Sequence, residues 1–556
     1  MSTATAKPSR EERIEAARSG MTLAMNARHA PQRAALHSDA GDRTFAELNA
    51  NANRVVRALR SRGLAAGDSL SLVCSNRPEF AEVLSACLRM GVRMTPVNWH
   101  LTPDEMAYIF ENSEAKAVVG DERFAVAVAE GVAASPNVSI RLAIGGEIAG
   151  AGGAGFESYD KAIASESGDD IDDPTLGRTM MYTSGTTGRP KGVDRSRNAA
   201  TSAAVAAGDQ QAAADSPTTT ASARAAAYNG ETDVHLCTGP LYHAAPLAFS
   251  LTGPLTYGVG VVLMDGWDAE ETLRLIELHR VTHTHMVPTM FHRLLALSDD
   301  VRATYDTSSL RYIVHGAAPC PVQVKQGLMD WFGPVVYEYY AATEGGGTFV
   351  RPEEWLSKPG TVGKPADPEL IRVYDPDGEN VAPNEVGTVY MRAPAAGRFR
   401  YYKDDDKTTS SYRGDYFTLG DHGYIDDDGY LFLTGRSAEL IISGGVNIYP
   451  AEVDAVLLTH PAVGDAGTIG IPNIEWGEEV KAVVELKAGM SGSPELADEL
   501  LAWCRDRLAH YKCPRSLDFV DELPRHDNGK LYRRKLREIY VPDEDPTGHR
   551  AVTGHS

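Results

Sequence analysis

The most informative motif of the chain is Met180-Met-Tyr-Thr-Ser-Gly-Thr-Thr-Gly-Arg-Pro-Lys-Gly192, an apolar run followed by a loop of hydroxyls and glycines that ends in a cation. Glycines allow a backbone to wrap closely around an anion, and hydroxyl and ammonium groups donate hydrogen bonds to it. The candidate donors and turn residues are Thr183, Ser184, Gly185, Thr186, Thr187, Gly188 and Lys191. Because the Gly-Lys-Ser/Thr ending of a Walker A loop is absent, the motif predicts a polyphosphate-binding loop of another kind.

Strands and helices alternate on the amino-terminal side of this loop. Thr44-Phe-Ala-Glu47 matches a capping box, and the apolar residues that follow recur at helical spacing until Gly63. A strand at 69–74, a helix from Pro78 and a strand at 92–97 come next. This order favours a parallel sheet covered by helices on both faces. We therefore predict an α/β fold, with a large amino-terminal domain of layered αβα subdomains and mainly parallel sheets.

The carboxy-terminal part has a different pattern. Predicted strands at 468–471 and 482–486 are followed by a helix with an apolar stripe from Leu496 to Leu508. We expect this portion to form a small α+β domain of its own. The polar ends, 1–24 and 542–556, are expected to be an amino-terminal extension and a disordered tail.

Composition and charge narrow the class of partner. At 556 residues the chain is long enough for two or more domains. Its formal net charge of −22 would repel a phosphate backbone, so nucleic acid is not expected as a partner. The six cysteines are scattered and no secretory signal is evident, so we expect a cytoplasmic protein with reduced thiols. The most apolar stretch, 241–264, is broken by prolines and glycines, which argues against a membrane-spanning helix and leaves a peripheral membrane contact open.

Further motifs follow the loop in a fixed order. They are Gly316-Ala-Ala-Pro319, Tyr337-Glu-Tyr-Tyr-Ala-Ala-Thr-Glu344, Leu419-Gly-Asp-His422 with Thr434-Gly-Arg436, Ser443-Gly-Gly-Val-Asn-Ile-Tyr-Pro450 and Pro524-Arg-His-Asp-Asn-Gly-Lys530. Together with the loop, they resemble the motifs of the adenylate-forming superfamily of acyl-CoA synthetases, luciferases and peptide-synthetase adenylation domains. The resemblance covers about residues 25 to 540.

The resemblance implies a domain organisation. An AMP-binding domain would span residues 25–435, a hinge 436–438, and a mobile domain with the catalytic lysine 439–541. In the family, the small domain rotates between two half-reactions. The charged hinge residue that is usual in the family is replaced here by Ala438, which leaves the control of that rotation open.

The resemblance also implies roles in binding ATP and Mg²⁺. The residues implied to line the adenosine site are Gly316, Ala317, Tyr340, Thr343, Asp421 and Arg436. Tyr340 would stack on adenine, and Asp421 would accept hydrogen bonds from the ribose hydroxyls. Glu344 matches the magnesium-binding acid, with Thr183 of the phosphate loop beside it. Lys530 matches the lysine that bridges the substrate carboxylate and the α-phosphate, where an ammonium group offsets the developing charge.

Other matches concern the acyl substrate and coenzyme A. Gly444 and Gly445 match the segment that reaches the pantetheine tunnel after rotation, and His243 matches a position that borders the acyl channel. Gly345 and Gly346, which follow the magnesium-binding acid, lack side chains near the expected pocket and suggest room for a bulky or long acyl group. A fatty acid or a sterol-side-chain acid is therefore the expected substrate, within lipid metabolism.

The implied reaction is that of an AMP-forming acid–thiol ligase. A carboxylic acid and Mg-ATP would give an acyl adenylate and pyrophosphate, and coenzyme A would then give the thioester and AMP. The alternatives are an aryl-acid CoA ligase, an enzyme that loads a carrier protein, and a nucleotide-binding regulator without turnover. A homodimer is also left open.

Some other patterns are weaker. Gly150-Ala-Gly-Gly-Ala-Gly155 matches a dinucleotide fingerprint, but no suitable helix follows it. His283, His285 and His292 could suggest a metal site, yet their positions on a strand and the next helix favour structural histidines. No Gly-x-Ser-x-Gly motif occurs in the chain, which argues against an α/β-hydrolase.

Overall fold

A computed structural model describes residues 7–149, 155–183, 190–195, 222, 225–393, 398–436, 439–443, 446–473, 476–525 and 529–541. The predicted tail 542–556, Ala438 of the predicted hinge and most of the glycine–alanine motif lie outside the described residues.

A six-stranded parallel sheet forms the first layer of the amino-terminal part. Its strand order is Glu157–Ser158, Ile140–Ile144, Ala115–Asp121, Ser69–Val73, Arg93–Pro96 and Arg178–Thr179. Helices such as Pro78–Arg89 and Pro103–Asn112 cross between successive strands, as a parallel arrangement requires.

An eight-stranded sheet forms the second layer. Its order is Gly345–Val350, Val336–Ala342, Tyr312–His315, His283–Met286, Val234–Cys237, Gly260–Leu263, Ala34–His37 and Arg43–Thr44. The inner pairs are parallel, and the pairs at both ends are antiparallel. The carboxyl ends of parallel strands meet at one edge of a sheet. This edge therefore collects the residues that follow His315 and Ala342.

Smaller antiparallel sheets complete this part. Three strands form one of them: Arg400–Tyr401, Lys191–Asp194 and Met181–Thr183. Six strands form the other: Tyr412–Arg413, Tyr416–Phe417, Gly387–Arg392, Asp421–Ile425, Leu431–Arg436, and Ile371–Tyr374 beside Gly387–Arg392.

The carboxy-terminal part has its own mixed sheet of Val446–Ile448, Ile441–Ser443, Gly477–Leu486, Val463–Asn473 and Ser516–Val520. Leu457, Val480 and Leu500 belong to its buried core, which helices Pro450–Leu457 and Pro494–Arg505 help to form. The predicted α/β class is confirmed, with mainly parallel sheets in the large part and a smaller carboxy-terminal domain.

The other α-helices of the described residues are Arg10–Ser19, Thr22–His29, Phe45–Ser61, Ala125–Ala133, Tyr159–Ala164, Gly253–Thr256, Ala269–His279, Pro288–Leu295, Asp299–Thr304, Val322–Phe332, Pro352–Ser357, Asp405–Ser410 and Arg533–Tyr540. The predicted capping box is present, since Glu47 N donates to Thr44 Oγ1 at 3.2 Å and Thr44 N donates to Glu47 Oε2 at 2.8 Å. No described helix is long and apolar enough to cross a membrane.

A buried ion pair ties helix Val322–Phe332 to strand Val336–Ala342. Lys325 Nζ lies 2.7 Å from Glu338 Oε2, and the Lys325 side chain is fully buried. The same ammonium group lies 4.8 Å from the centre of the Trp355 ring. Burial raises the pKa of Glu338, and the charge of Lys325 opposes that shift. The pair therefore holds the helix against the strand that leads to the acidic motif.

We predict that Lys325→Met lowers the free energy of unfolding by about 3–5 kcal/mol, because it leaves Glu338 buried without its cation. Urea unfolding followed by tryptophan fluorescence measures the change. Adding Glu338→Leu to the same variant should restore most of the loss. A single variant as stable as the wild type would contradict the role given to the pair.

Candidate active site

The two ends of the predicted phosphate loop lie side by side. Thr183 ends strand Met181–Thr183, Lys191 begins strand Lys191–Asp194, and the two residues are opposite each other in this antiparallel pair. Predicted site residues that lie outside the described residues are Ser184, Gly185, Thr186, Thr187, Gly188, Gly444 and Gly445. The structure thus places the hydroxyl-bearing start and the cationic end of the loop beside each other.

Lys191 is held by a segment distant in sequence. Its Nζ lies 3.2 Å from Asp404 Oδ2 and 5.6 Å from the centre of the Tyr401 ring. Asp404 also caps helix Asp405–Ser410, because its Oδ1 accepts a hydrogen bond from the backbone N of Lys407 at 3.0 Å. The cation at the end of the loop is therefore placed by a carboxylate that is itself fixed.

Glu344, the predicted magnesium-binding acid, follows strand Val336–Ala342 and is 7% exposed. Tyr401 Oη donates to Glu344 Oε1 at 2.9 Å. Arg195 Nη1 donates to the carbonyl oxygen of Thr343 at 3.1 Å. Burial lowers the pKa of Arg195, and the charge of Glu344 opposes that shift. The acidic motif is thus supported both at its carboxylate and at its backbone.

Sequence reasoning missed Tyr401, Asp404 and Arg195. Tyr401 is 57 residues from Glu344, and Arg195 is 148 residues from the carbonyl that it binds. Neither stands in a motif of regular spacing. The sequence feature that could have drawn attention to Tyr401 and Asp404 is the high density of aromatic and charged residues in 398–406.

The predicted adenosine residues meet where two sheets adjoin. Tyr340 Oη donates to Asp421 Oδ2 at 2.7 Å, and Asp421 is 5% exposed. Asp421 lies opposite Arg436 across the pair formed by strands Asp421–Ile425 and Leu431–Arg436. The structure therefore brings Tyr340 next to Asp421, 81 residues away in the sequence, with Arg436 on the adjoining strand.

The backbone after strand Tyr312–His315 has a constrained shape. A Cβ at Gly316 would lie 2.6 Å from Tyr339 Cζ, so a glycine is required for the Tyr339 ring to pack there. Ala317 has φ +69°, a left-handed conformation that residues other than glycine rarely adopt. Backbone strain of this kind is concentrated at functional sites. The two predicted adenine-lining residues thus form a rigid turn.

The expectation of open space does not hold at Gly346, whereas a Cβ at Gly345 would meet only the Arg195 guanidinium group, at 3.6 Å. A Cβ at Gly346 would lie 2.7 Å from Met391 Sδ, and one at Gly347 would lie 1.8 Å from the carbonyl oxygen of Tyr340. The three successive glycines have φ values between +72° and +122°. They permit a tight turn and dense packing, so they are not evidence of a roomy acyl pocket.

The histidines have separate environments. The half-buried His243 ring lies 4.5 Å from the Tyr242 ring, and its place on the acyl channel stays a prediction. The fully buried His283 ring is hydrogen-bonded to a backbone carbonyl at 2.7 Å, and His285 Nε2 lies 3.0 Å from Tyr339 Oη. Burial lowers the pKa of His285 to about 3, so this ring is neutral at physiological pH. These contacts support the structural interpretation of the two buried rings.

Lys530 lies on a loop that packs against the large domain. Its Nζ is 4.0 Å from Glu439 Oε1. Arg525 Nη1 donates to the carbonyl oxygen of Gly529 at 2.7 Å, which fixes the loop. A Cβ at Gly529 would lie 2.1 Å from Thr289 Oγ1 in the large domain. The absence of a side chain at that residue therefore allows the close approach of the two domains.

The donor set fits a nucleoside triphosphate with one magnesium ion. Mg²⁺ is commonly held by one or two carboxylates together with phosphate oxygens and water. Glu344 supplies one buried carboxylate, and Tyr401 connects it to the cation of Lys191. Over the part of the chain that the structure describes, no cluster of three or more His, Cys, Asp or Glu side chains could hold a metal ion.

Comparison with known proteins agrees with this geometry. The AMP-binding enzyme family model matches residues 23–402, and the model of the AMP-binding enzyme C-terminal domain matches residues 452–530. The chain belongs to the AMP-binding enzyme family. The predicted membership of the adenylate-forming superfamily is therefore confirmed.

Several members of this family align over almost the whole chain. A 2-succinylbenzoate–CoA ligase of Geobacillus kaustophilus is 33% identical over 530 residues, 93% of this chain and 97% of that enzyme. A feruloyl-CoA synthase of Amycolatopsis is 33% identical over 516 residues, 92% and 97% of the two chains. A solved structure of the o-succinylbenzoate CoA synthetase of Bacillus subtilis contains the acyl-adenylate intermediate of that enzyme. It superposes on this chain with a TM-score of 0.75 at 28% identity, and the aligned region covers 93% of this chain and 97% of the synthetase.

These matches confirm the predicted reaction at a coarse level. As a member of the family, the protein is an ATP- and Mg²⁺-dependent, AMP-forming CoA ligase that acts through an acyl adenylate. The predicted roles of the individual site residues remain predictions.

We predict that Gly529→Ala slows adenylation by about tenfold or more, because a Cβ at φ +76° clashes with Thr289 and displaces the loop that carries Lys530. ATP–pyrophosphate exchange measures the loss. Gly489→Ala is the matched control, since Gly489 has φ +83° in the same domain and has no atom within 4 Å of its Cβ position. Equal losses in the two variants would show that backbone strain alone is responsible.

Proposed function

We propose that the protein is an ATP-dependent CoA ligase that activates an aromatic carboxylic acid. The dense packing at Gly346, where a Cβ would lie 2.7 Å from Met391 Sδ, removes the sequence argument for a bulky acyl group at that position. The relatives named above are a 2-succinylbenzoate–CoA ligase and a feruloyl-CoA synthase, whose acids both contain an aromatic ring. An aryl acid, which the sequence left open as an alternative, therefore takes precedence over a fatty or sterol-side-chain acid.

An aromatic cluster behind Gly316 supports the same substrate class. The Tyr339 ring packs on Gly316, and the Phe249 ring centre lies 4.7 Å from that of Tyr339. The His285 ring is stacked on Phe249 at 5.5 Å, with an interplanar angle of 4°. Tyr339 and His285 are buried, so the half-buried Phe249 is the ring of this cluster that could offer a flat face to an aromatic acid.

In the first half-reaction, a carboxylate oxygen attacks the α-phosphorus of ATP, and the bond to the β-phosphate breaks as pyrophosphate leaves. Lys530 would reduce the repulsion between the two anions. Lys191 and the loop that follows Thr183 would hold the departing phosphates in line with the attacking oxygen. Bound Mg²⁺, held by Glu344 with Thr183 nearby, would neutralise charge on the phosphate oxygens.

In the second half-reaction, the sulfur of coenzyme A attacks the acyl carbon, and the carbon–oxygen bond to AMP breaks. Tyr340 and Asp421 would keep the nucleoside in place through both steps. Lys530 would leave with the small domain as it turns about the predicted hinge. Gly444 and Gly445 would then lie along the path of the pantetheine thiol.

We expect 2-succinylbenzoate or ferulate to have a kcat/KM at least about tenfold higher than octanoate, palmitate or a bile acid, because a pocket shaped for one aromatic ring would exclude an extended or multi-ring acyl group. Pyrophosphate release and thioester formation with coenzyme A measure the two half-reactions. A clear preference for palmitate or the bile acid would overturn the aryl-acid proposal. Absence of pyrophosphate with every acid would instead favour a protein without turnover.

We predict that Lys530→Ala abolishes adenylate formation but leaves thioester formation from supplied acyl adenylate nearly unchanged, because the lysine acts in the first half-reaction alone. The two half-reactions are assayed separately. Lys535→Ala, five positions further and exposed, is the control and should leave both rates unchanged. Equal loss of both half-reactions in the first variant would contradict the assignment.

A further inference from the structure

One buried tyrosine contacts both halves of the candidate phosphate site. Tyr401 is 7% exposed, and its hydroxyl donates to Glu344 Oε1 at 2.9 Å. The ammonium group of Lys191 lies 5.6 Å from the centre of the same ring. Asp404, three residues later, lies 3.2 Å from that ammonium group. A single short segment therefore supports the acid at one end of the site and the cation at the other.

The segment is rigid because its backbone is paired. Tyr401 lies opposite Val193 in the antiparallel pair of strands Arg400–Tyr401 and Lys191–Asp194. Its backbone N donates to Thr408 Oγ1 at 2.9 Å. The Tyr401 ring also packs edge-on against Phe399, with centroids 5.2 Å apart. The orientation of the hydroxyl is thus determined by the fold before any nucleotide binds.

The chemistry of the contact is directional. An ionised carboxylate can only accept hydrogen bonds, so the Tyr401 hydroxyl must be the donor in this contact. A hydroxyl that binds one carboxylate oxygen fixes the plane of the carboxylate and the direction of its other oxygen. Partners of this kind commonly control how well a metal-binding acid meets its ion.

We propose that Tyr401 is a positioning residue of the adenylation half-reaction, which orients Glu344 for Mg²⁺ while its ring supports Lys191. The proposal rests on the role proposed above for Glu344. It assigns no contact between Tyr401 and the substrate. It links Glu344, which lies between two strands of the eight-stranded sheet, to Lys191 on the three-stranded sheet.

The test is Tyr401→Phe, which keeps the ring under Lys191 and removes one hydroxyl. We expect the Mg²⁺ concentration that half-saturates binding of α,β-methylene-ATP to rise by about tenfold or more, measured by calorimetry without any acid substrate. Thioester formation from supplied acyl adenylate should be unchanged. Tyr402→Phe is the matched control, because its hydroxyl donates to Glu114 instead, and it should bind as the wild type does.

A double-variant cycle separates positioning from general damage to the fold. If Tyr401 acts through Glu344, then Tyr401→Phe should add no further loss of Mg²⁺ affinity in a Glu344→Ala background. A folded Tyr401→Phe protein with wild-type Mg²⁺ dependence, or losses that add in the double variant, would overturn the proposal. Because the analogue is bound without any acid, failure of the aryl-acid proposal would leave this result unaffected.

Discussion

The candidate site depends on hydrogen bonds between side chains, because it lies where sheets of different topology adjoin. Tyr340 on the eight-stranded sheet reaches Asp421 on an antiparallel sheet, and Tyr401 on a third sheet reaches Glu344. Backbone pairing makes each sheet rigid but does not align one sheet with another. Each contact joins a hydroxyl to a carboxylate, and hydrogen bonds to a charged group are stronger than neutral ones. The separation between the predicted nucleoside end and the predicted phosphate end of the site rests on such contacts.

The parts of this architecture with local signatures could be predicted from the sequence. The capping box at Thr44 and Glu47 depends on residues three apart, and the helix that it begins is present. The alternation of strands and helices predicted parallel pairing, since a crossover connection is needed between parallel strands. The resemblance to the adenylate-forming superfamily implied that Tyr340 and Asp421 belong to one site, although they are 81 residues apart.

Other features depend on tertiary contacts and could not be predicted in this way. Tyr401 is one tyrosine in a polar segment, and only the fold shows which carboxylate its hydroxyl meets. At Gly346, by contrast, the sequence suggested a feature that the structure does not have. In the sequence a glycine suggests missing volume, whereas in the structure Met391 fills that volume. The left-handed conformation of Ala317 has no signal in its residue type, because alanine disfavours that conformation.

The net charge of −22 gives anionic substrates an unfavourable long-range field, so cations must act at short range. Lys191 lies against Asp404, and Lys530 lies near Glu439. A carboxylate partner places each ammonium group before the nucleotide arrives, although it then competes with phosphate for that group. The phosphate groups of ATP carry more negative charge than one carboxylate. Replacement of the carboxylate by phosphate as the partner of the ammonium group therefore favours a bound nucleotide.

Lys191 and Lys530 would behave differently once the nucleotide is bound, because they belong to different domains. Lys191 lies on the large domain beside the phosphate loop, whereas Lys530 lies on a loop that meets the large domain where Gly529 packs on Thr289. Rotation of the small domain would therefore withdraw Lys530 and leave Lys191 in place. The nucleotide would lose the cation that we propose assists attack on the α-phosphorus, and it would keep the rest of its site. An acidic protein can in this way retain AMP through the second half-reaction without a permanent excess of positive charge.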